Sequence, residues 1–375
     1  MTKHICFVNS AFNRDDALIV HRQGKSLVEA GFRVTYLLRD ENPSEMRYGI
    51  EMISVGKKSH GLLDRIRTNG SVFKPFLKEF HADVYQISEP EMLPLGLWLK
   101  KQGKKVVFNL REYYPDYYAR RFKNKYIQRF IKKCIEKYFG YVSRRIDGVF
   151  NCMPEMHDYI KEVMPCNFFV DTANFPVVNK DFSLSFDDYC KRKNVISYFG
   201  SIYDISCQEE FLAAINSIDN VNYLLAGVFY TEDYKQRVMS QPGWRKVEFK
   251  EGFTKEELPE IINSSVIGNV MKDFNKTETP QGSYSIIKIF ESMEAAIPIL
   301  LSKVPLYEAM VEKYHCGICV DPYDVEAIRN AIQYLLDHKQ EAYEMGQNGR
   351  RAVIEEFSWD NLEKDYVKVF DELTK

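Results

Sequence analysis

The stretch from residue 279 to residue 300 carries the strongest chemical signal in the sequence. It opens with a loop of glycine and serine and continues as a helical pattern that contains Lys288 and Glu291. The free N–H groups and the positive dipole end at the start of such a helix attract an anion. Lys288, one turn into the helix, would reach a phosphate, and a carboxylate at Glu291 on the same face suits the vicinal hydroxyls of a ribose. A surface ion pair on an ordinary helix is the alternative.

Several motifs that signal nucleotide or metal chemistry do not occur in the sequence. There is no G-x-G-x-x-G, no P-loop, no H-E-x-x-H, no G-x-S-x-G and no D-x-D. Their absence argues against a dinucleotide-binding fingerprint, a zinc protease and a serine hydrolase. It favours a ligand site built from helix N-termini and strand ends, in a cleft between two domains.

The elements that must position such a site alternate between short apolar runs and helical patterns, which predicts parallel sheets with crossover helices. We expect strands at 4–9, 32–38, 83–87, 105–110, 148–152, 168–171, 194–199, 247–249 and 317–320. We expect helices at 15–30, 91–101, 119–145, 155–163 and 359–373. A polar stretch at 179–192 predicts the boundary between an N-terminal domain, 1–180, and a C-terminal domain, 193–356.

Composition and charge exclude several classes of protein. The 375 residues are 45% hydrophobic and 28% charged, as in a globular protein, and the net charge of −2 argues against a strongly basic nucleic-acid binder. The first apolar stretch is too short for a secretory signal and reads as a buried strand. The eight scattered cysteines do not suggest a disulfide framework, which favours a reduced, cytoplasmic setting. Cys316 and Cys319 form a lone C-x-x-C in an apolar run; we expect a core position, with a redox or metal role as the alternative.

A second, independent signal lies between Arg111 and Arg145, where 11 basic residues stand against 3 acidic ones. Helical periodicity puts apolar residues on one face: Ile127, Phe130, Ile131, Cys134, Ile135, Tyr138 and Val142. It puts basic residues on the other: Lys125, Arg129, Lys132, Lys133 and Lys137. One interpretation is a core-packed helix with a solvated basic face. The other is contact with anionic lipid head groups. Nucleic acid is a weaker option, because no recognition motif accompanies the charge.

The helix at Lys288-Ile289-Phe290-Glu291 and the strand after it resemble the donor-site helix and strand of family 4 glycosyltransferases. Further resemblances follow the family's order along nearly the whole chain, at 84–97, 106–115, 317–327 and 348–359. The resemblance implies the GT-B fold, in which two Rossmann-like doubly wound domains face a central cleft and a C-terminal helix, 359–375, crosses back to the N-terminal domain. It implies retaining transfer of a sugar from a nucleotide-sugar donor to a glycan or lipid-linked acceptor, in surface polysaccharide or glycolipid synthesis.

The same resemblance implies a donor site without a cofactor or a metal ion. The leaving diphosphate would be stabilised by Lys288, by the helix N-terminus and by backbone N–H groups. The donor is expected to contact eight positions: Gly200, Ser201, Gly252, Phe253, Ser283, Tyr284, Ser285 and Ile287. Of these, the loop at Gly252 and Phe253 is a candidate pocket for the base.

On the acceptor side, the resemblance implies that Arg111 and Glu112 position the acceptor, with a structural salt bridge as the alternative. Glu89 and Glu91 flank Pro90 at another strand end, where we expect them to cap a helix. Since the family often acts on lipid-linked acceptors, the basic helix and the acceptor together suggest a cytoplasmic protein at the inner face of a membrane.

The sequence also departs from the family's pattern. The family often carries two acidic residues eight positions apart, and the position eight before Glu291 is Ser283. Many members have a basic residue shortly after the glycine of the first strand of the second domain, but none follows Gly200 as far as Cys207. Two alternatives therefore stand beside the transferase: a non-catalytic GT-B protein that binds a glycan or nucleotide, and a sugar-nucleotide epimerase of similar fold.

Overall fold

The structure is a computed structural model that describes residues 2–277 and 279–375. Its contacts divide the chain into two units. The first contains the residues up to Asn174 together with Trp359–Lys375, and the second is Phe175–Ser358. No helix within these described ranges is long and apolar enough to cross a membrane.

The boundary between the units lies before the polar stretch in which the sequence places it. The Phe175 ring packs on the rings of Phe290 and Phe357, at centroid distances of 4.6 and 5.5 Å. The Asn179 N–H donates to Glu294 Oε1 at 3.0 Å. These contacts tie residues 175–192 to the second unit, whereas the prediction began that domain at residue 193.

The first unit is built on an eight-stranded sheet in the order β3-β4-β2-β1-β5-β6-β7-β8, in which only the β3–β4 pair is antiparallel among the described pairs. Its strands are β1 (His4–Val8), β2 (Arg33–Leu38), β3 (Glu45–Arg47), β4 (Ile50–Ser54), β5 (Val84–Ile87), β6 (Lys105–Leu110), β7 (Gly148–Asn151) and β8 (Phe168–Asp171). The central strands are apolar and buried on both faces, as expected of a parallel sheet covered by helices. The chain order reverses between β1 and β5.

The helices that cover this sheet are α1 (Lys25–Glu29), α2 (Leu62–Glu79), α3 (Leu93–Lys101), α4 (Tyr114–Ala119), α5 (Lys125–Ser143) and α6 (His157–Val163). A π-helical segment, Ile19–Gly24, leads directly into α1. The prediction of one helix over 119–145 is wrong. Asn124 separates α4 from α5, because its side-chain oxygen accepts hydrogen bonds from the N–H groups of Tyr126 and Ile127 and so caps a new helix.

The second unit is built on a six-stranded parallel sheet in the order β11-β10-β9-β12-β13-β14. Its strands are β9 (Val195–Phe199), β10 (Asn222–Gly227), β11 (Val247–Glu251), β12 (Ile267–Asn269), β13 (Ile299–Ser302) and β14 (Gly317–Val320). Its helices are α7 (Phe186–Lys191), α8 (Gln208–Asn216), α9 (Glu232–Met239), α10 (Leu258–Asn263), α11 (Ile287–Glu294), α12 (Pro305–Tyr314), α13 (Val325–Asp337) and α14 (Lys339–Glu355). The order reverses between β9 and β12, and the carboxyl ends of strands at such a reversal are where open α/β sheets bind ligands.

The last helix, α15 (Trp359–Leu373), is part of the core of the first unit. Trp359 Nε1 donates to Ser26 Oγ at 2.8 Å, and the Tyr366 hydroxyl donates to Gln86 at 2.9 Å. The Tyr366 ring also lies 4.8 Å from the Phe150 ring. Removing the last helix would therefore expose apolar core and leave buried polar groups of the first unit without partners.

Candidate functional site

Glycines stand at the carboxyl ends of three neighbouring strands of the second unit. Gly200 follows β9, Gly227 ends β10 and Gly252 follows β11, and all three have positive φ angles. A Cβ atom on Gly227 would lie only 1.8 Å from the carbonyl oxygen of Gly200. The missing side chains let these strand ends approach one another. We call these three strand ends the glycine edge.

Lys288 lies against this glycine edge. Its ammonium nitrogen is 3.6 Å from the centre of the Tyr198 ring and 3.7 Å from the position that a Cβ atom on Gly200 would occupy. Because α11 begins at Ile287, Lys288 is the second residue of the helix and not one turn into it. The structure thus joins the predicted donor residues Gly200 and Lys288 at the point where the strand order reverses.

The charge of Lys288 is held in a poorly solvated place. Burial lowers the pKa of the Lys288 ammonium from 10.5 to about 7, and the carboxylate of Glu291 acts in the opposite direction. The face of the Tyr198 ring also favours the cation. An incoming anion would add a second negative charge beside Lys288 and favour its charged form, so this lysine is better suited to binding a phosphate than to forming an ordinary surface ion pair.

The loop before α11 is fixed by its own contacts. Ser283 is buried and its carbonyl oxygen accepts a hydrogen bond from the Tyr307 hydroxyl at 2.8 Å. The hydroxyls of Ser283 and Ser285 are 2.6 Å apart. The Tyr284 ring packs on the ring of Phe290, with centroids 5.7 Å apart. Ser285 is exposed, Tyr284 and Ile287 are half-buried and Ser283 is buried, so Ser285 is the most accessible of the four predicted positions in this segment.

The remaining predicted donor positions lie along the same sheet edge. Ser201 is exposed, and its carbonyl oxygen accepts a hydrogen bond from the Tyr198 hydroxyl at 2.9 Å. The Gly252 N–H donates to the Gly227 carbonyl at 3.1 Å. The Phe253 ring lies 6.4 Å from that of Phe199, at the end of β9. Gly252 is therefore part of the glycine edge, and Phe253 follows it at the place where a base pocket was predicted.

Sequence reasoning missed two residues of this site, Tyr198 and Gly227. Tyr198 lies beneath the ammonium of Lys288, and Gly227 makes room for the Gly200 carbonyl. Each had a signal in the sequence. Tyr198 stands two residues before Gly200, which follows an apolar run, and Gly227 closes the next apolar run along the chain.

In the first unit, Arg111 forms an ion pair with Asp16. Its Nη1 donates to Asp16 Oδ1 at 2.8 Å, and its guanidinium lies 4.4 Å from the centre of the Phe12 ring. Glu112 is exposed beside it at the carboxyl end of β6. The structural salt bridge considered for Arg111 therefore exists, with Asp16 as the partner.

The expectation that Glu89 caps a helix is wrong. Its carboxylate is buried and accepts hydrogen bonds from the backbone N–H groups of Ser10 and Ala11, both at 2.7 Å. Burial raises the pKa of Glu89 to about 7. Glu91 is not a cap either, because it forms an ion pair with Arg65 and accepts from the Tyr118 hydroxyl. Glu89 instead holds the loop after β1, where the strand order of the first unit reverses.

A cavity of about 1000 Å³ opens beside that loop, within the first unit. Its charged lining has both signs and includes Arg14, Asp15, Arg39, Asp40, Arg47 and Lys58. Most of these charges are already balanced, as in the ion pairs of Arg14 with Asp40 and of Arg47 with Asp15. A lining of paired charges and hydroxyls suits a polar, uncharged ligand better than a phosphate.

The predicted faces of the basic helix also change. The buried residues of α5 are confined to its last part: Phe139, Gly140, Val142 and Ser143. Phe130 and Cys134, which the periodicity placed on the apolar face, are exposed. Lys132, which was placed on the solvated face, forms an ion pair with Asp116 at 3.1 Å. The inward face therefore runs through Gln128, Ile131, Lys132, Ile135 and Phe139.

The cysteines are all free thiols. Burial raises the pKa values of both Cys316 and Cys319 to about 12, which leaves little of the reactive thiolate at neutral pH. No group of three or more His, Cys, Asp or Glu side chains in the part of the chain outside residues 1 and 278 is placed to hold a metal ion. The C-x-x-C therefore has the surroundings of a core element.

Comparison with known proteins places the site in context. Residues 206–367 match the model of a family described as glycosyl transferase-like. An MMP α-(1→4)-mannosyltransferase of Mycolicibacterium hassiacum is 27% identical over 121 residues, which are 32% of this chain and 28% of that protein. The match thus spans little more than a quarter of the relative's length.

Two solved structures superpose over almost their full length. Sucrose-phosphate synthase from Thermosynechococcus elongatus has a TM-score of 0.73 at 17% identity and covers 99% of both chains. The HepE protein of Anabaena, solved with UDP-glucose, has a TM-score of 0.70 at 13% identity and covers 98% of this chain and 99% of that chain. The chain has the GT-B fold. The fold predicted from the sequence is confirmed, and the glycosyl transferase-like segment includes α11 with Lys288 and Glu291.

Proposed function

We propose that this protein is a retaining glycosyltransferase that moves a sugar from a nucleotide-sugar donor to a glycan or lipid-linked acceptor. We place it in the synthesis of a surface polysaccharide or glycolipid at the inner face of a membrane. The observation that carries the proposal is the ammonium of Lys288, which lies on the Tyr198 ring and beside Gly200 at the reversal of strand order. The glycosyl transferase-like match over 206–367 and the mannosyltransferase relative support it.

The donor's diphosphate would bind at the glycine edge. Lys288, the backbone N–H of Ser201 and the start of α11 would supply positive charge there without a metal ion, whereas the Gly200 N–H already donates to the Ala226 carbonyl at 2.9 Å. When the bond from the sugar to the diphosphate breaks, negative charge grows on the leaving oxygen. A fixed, poorly solvated ammonium stabilises the transition state, in which this charge has grown, more than it stabilises the ground state. This difference is the condition for catalysis.

The rest of the nucleotide would lie along the same edge. Glu291, one turn after Lys288 on α11, would accept hydrogen bonds from the two ribose hydroxyls. Gly252 and Phe253 would border the base. Phe253 is suited to this because its ring is braced by Phe199 and offers an apolar face.

The acceptor would be positioned by residues of the first unit. Arg111 has a guanidinium held in place by Asp16, and Glu112 is exposed next to it at the end of β6. In the transfer, the acceptor hydroxyl oxygen bonds to the anomeric carbon on the face that the diphosphate leaves. The hydroxyl proton passes to the departing diphosphate, so the step needs no further reactant.

One observation favours the non-catalytic alternative. Ser283 stands where the family often has an acidic residue, and it is buried and held by Tyr307. A protein with this site would still bind the nucleotide through Lys288. Binding and transfer must therefore be measured separately.

The test is a thermal-shift screen with UDP, GDP, ADP, CMP and their common sugar conjugates, without added metal. A ligand at about 100 times its Kd adds about 2.7 kcal/mol to the stability of the folded protein. We expect a clear shift with one nucleotide, a much smaller shift in Lys288→Met and Glu291→Gln, and a normal shift in the matched controls Lys303→Met and Glu312→Gln, whose side chains are exposed in the same unit.

The outcomes separate the candidate functions. No shift with any nucleotide would refute the donor site. A shift without sugar transfer to any glycan or lipid-linked acceptor would favour the binding protein, and recovery of an epimerised nucleotide sugar would favour the epimerase. If Glu291→Ala transferred sugar at the full rate, the proposed role of that carboxylate in binding the ribose would be refuted.

A further inference from the structure

The side chains on the first three turns of α5 are all exposed or half-buried. No residue of this helix before Phe139 is buried. Tyr126 is 80% exposed and Phe130 is 69% exposed, values that are high for large aromatic side chains. An amphipathic helix that served only the core would turn these rings inward.

The exposed side chains form one continuous stripe. Tyr126, Phe130, Lys133, Lys137 and Tyr141 follow one another at spacings of four, three, four and four residues and are all exposed, so they lie on one side of the helix. We call these five residues the α5 outer stripe. The stripe mixes aromatic rings with lysines, whereas the periodicity alone had separated apolar from basic residues.

More residues of the same character surround the stripe. The segment before α5 adds exposed basic residues and an exposed ring: Arg120, Arg121, Phe122 and Lys123. On the helix itself, Lys125, Ile127, Arg129 and Tyr138 are exposed as well. A contiguous exposed surface of rings and aliphatic groups on this scale marks an interaction site on a folded protein.

The charge of this surface identifies its partner. The acidic residues nearest the surface are engaged by other groups: Asp116 pairs with Lys132, and Glu136 accepts from the Tyr113 hydroxyl at 2.5 Å. Within the described residues, none of the lysines or arginines at 125, 129, 133 and 137 belongs to an ion pair. The surface is therefore strongly positive. A second copy of the same surface would bring like charges together, whereas an anionic surface would attract it.

We propose that the α5 outer stripe docks on an anionic lipid surface, with α5 lying parallel to the plane of the membrane. Tyrosine and phenylalanine rings at Tyr126 and Phe130 suit the boundary between head groups and acyl chains. The lysine stems at Lys133 and Lys137 can lie along apolar groups while their ammonium ions meet phosphates. This docking does not depend on the donor chemistry of the second unit.

The test is sedimentation of the full chain with vesicles of phosphatidylcholine alone and of phosphatidylcholine mixed with phosphatidylglycerol. We expect binding to the anionic vesicles, weakening with added salt. Reversing the charge of two residues in K133E/K137E should reduce the partition coefficient at least about 25-fold, since one basic residue near such a surface contributes about fivefold. Tyr126→Ser with Phe130→Ser should weaken binding while leaving the salt dependence in place.

A matched control lies on α15 of the same unit. K364E/K368E reverses two exposed lysines that are also four residues apart on a helix, so it changes the net charge equally. It should bind vesicles as the unchanged protein does. All variants should retain the unfolding temperature and the nucleotide-induced thermal shift of the unchanged protein. A loss of vesicle binding would then not be due to unfolding or to loss of nucleotide binding.

Three results would overturn the proposal. Equal loss in K364E/K368E would mean that net charge and not the stripe matters. Equal binding to neutral and to anionic vesicles would mean that the lysines do not contribute by attracting anionic head groups. Binding of RNA, but not of anionic vesicles, that disappears in K133E/K137E would assign the surface to nucleic acid.

Discussion

Nucleotide binding should weaken steeply as the pH rises, because Lys288 must carry a proton to pair with a diphosphate. Burial lowers the pKa of Lys288 to about 7 in the free protein, so about half of the molecules hold the ammonium form at neutral pH. A bound diphosphate favours the charged form and raises the pKa in the complex. If that bound-state pKa exceeds about 10.5, so that the complex stays protonated, proton linkage makes the Kd about 25-fold higher at pH 9 than at pH 7.5.

Isothermal titration calorimetry with UDP, or with whichever nucleotide the screen selects, measures this dependence. The last proton of the nucleotide's own phosphate dissociates near pH ~6, so the range above ~7.5 reports on the protein. Lys288→Arg keeps its positive charge over this range and should flatten the dependence of the Kd on pH. Its gain in affinity over the unchanged protein should be greatest at the highest pH. Lys303→Met should keep the original slope.

Two results would refute this reasoning. A Kd that is constant between pH 7.5 and 9 would mean that Lys288 does not titrate on binding. The same slope in Lys288→Met would mean that another group titrates. In buffers of different ionisation enthalpy, binding at pH 7 should take up about half a proton, which gives an independent check.

Two further predictions concern stability. Gly227→Ala places a Cβ atom 1.8 Å from the Gly200 carbonyl and should lower the free energy of unfolding by more than about 3 kcal/mol, whereas Gly31→Ala, with positive φ and open space, should cost about 1 kcal/mol. Equal urea midpoints for the two would contradict the close approach. The folded-state pKa of Glu89, about 7, exceeds its usual 4.5, so stability present below pH 4.5 should be lost as the pH rises towards 7, by up to about 3 kcal/mol. Urea unfolding from pH 5 to 7.5 should show this loss in the unchanged protein and not in Glu89→Gln.

Much of the fold could be read from local sequence. The spans Gly317–Val320 and Trp359–Leu373 coincide with the predicted strand and helix, since each has a clear periodicity and a clear stop. The antiparallel hairpin of β3 and β4 and the long helix α2 were not predicted. Strands β3 and β4 are short and half-polar, and their pairing with the rest of the sheet is a long-range event. Helix α2 contains Gly70 and Pro75, which are typical of turns and helix ends.

The local interactions of single residues were harder to foresee. Asn124 ends one helical pattern and starts another through two backbone hydrogen bonds, and a polar residue between two amphipathic stretches did not reveal this. Glu89 looked like a helix cap, but its carboxylate reaches the N–H groups of Ser10 and Ala11, which come from a distant part of the chain.

The sequence by itself determined the class of the fold and the existence of a helix, α11, that carries the two charged residues Lys288 and Glu291. These follow from patterns within one element, where spacing along the chain sets position in space. Only the tertiary structure decided that Lys288 lies on Tyr198 with a lowered pKa, and that α5 turns Tyr126 and Phe130 outward. Periodicity states which residues share a face, but desolvation and burial depend on atoms brought together from distant segments, and those depend on the packing of the whole unit.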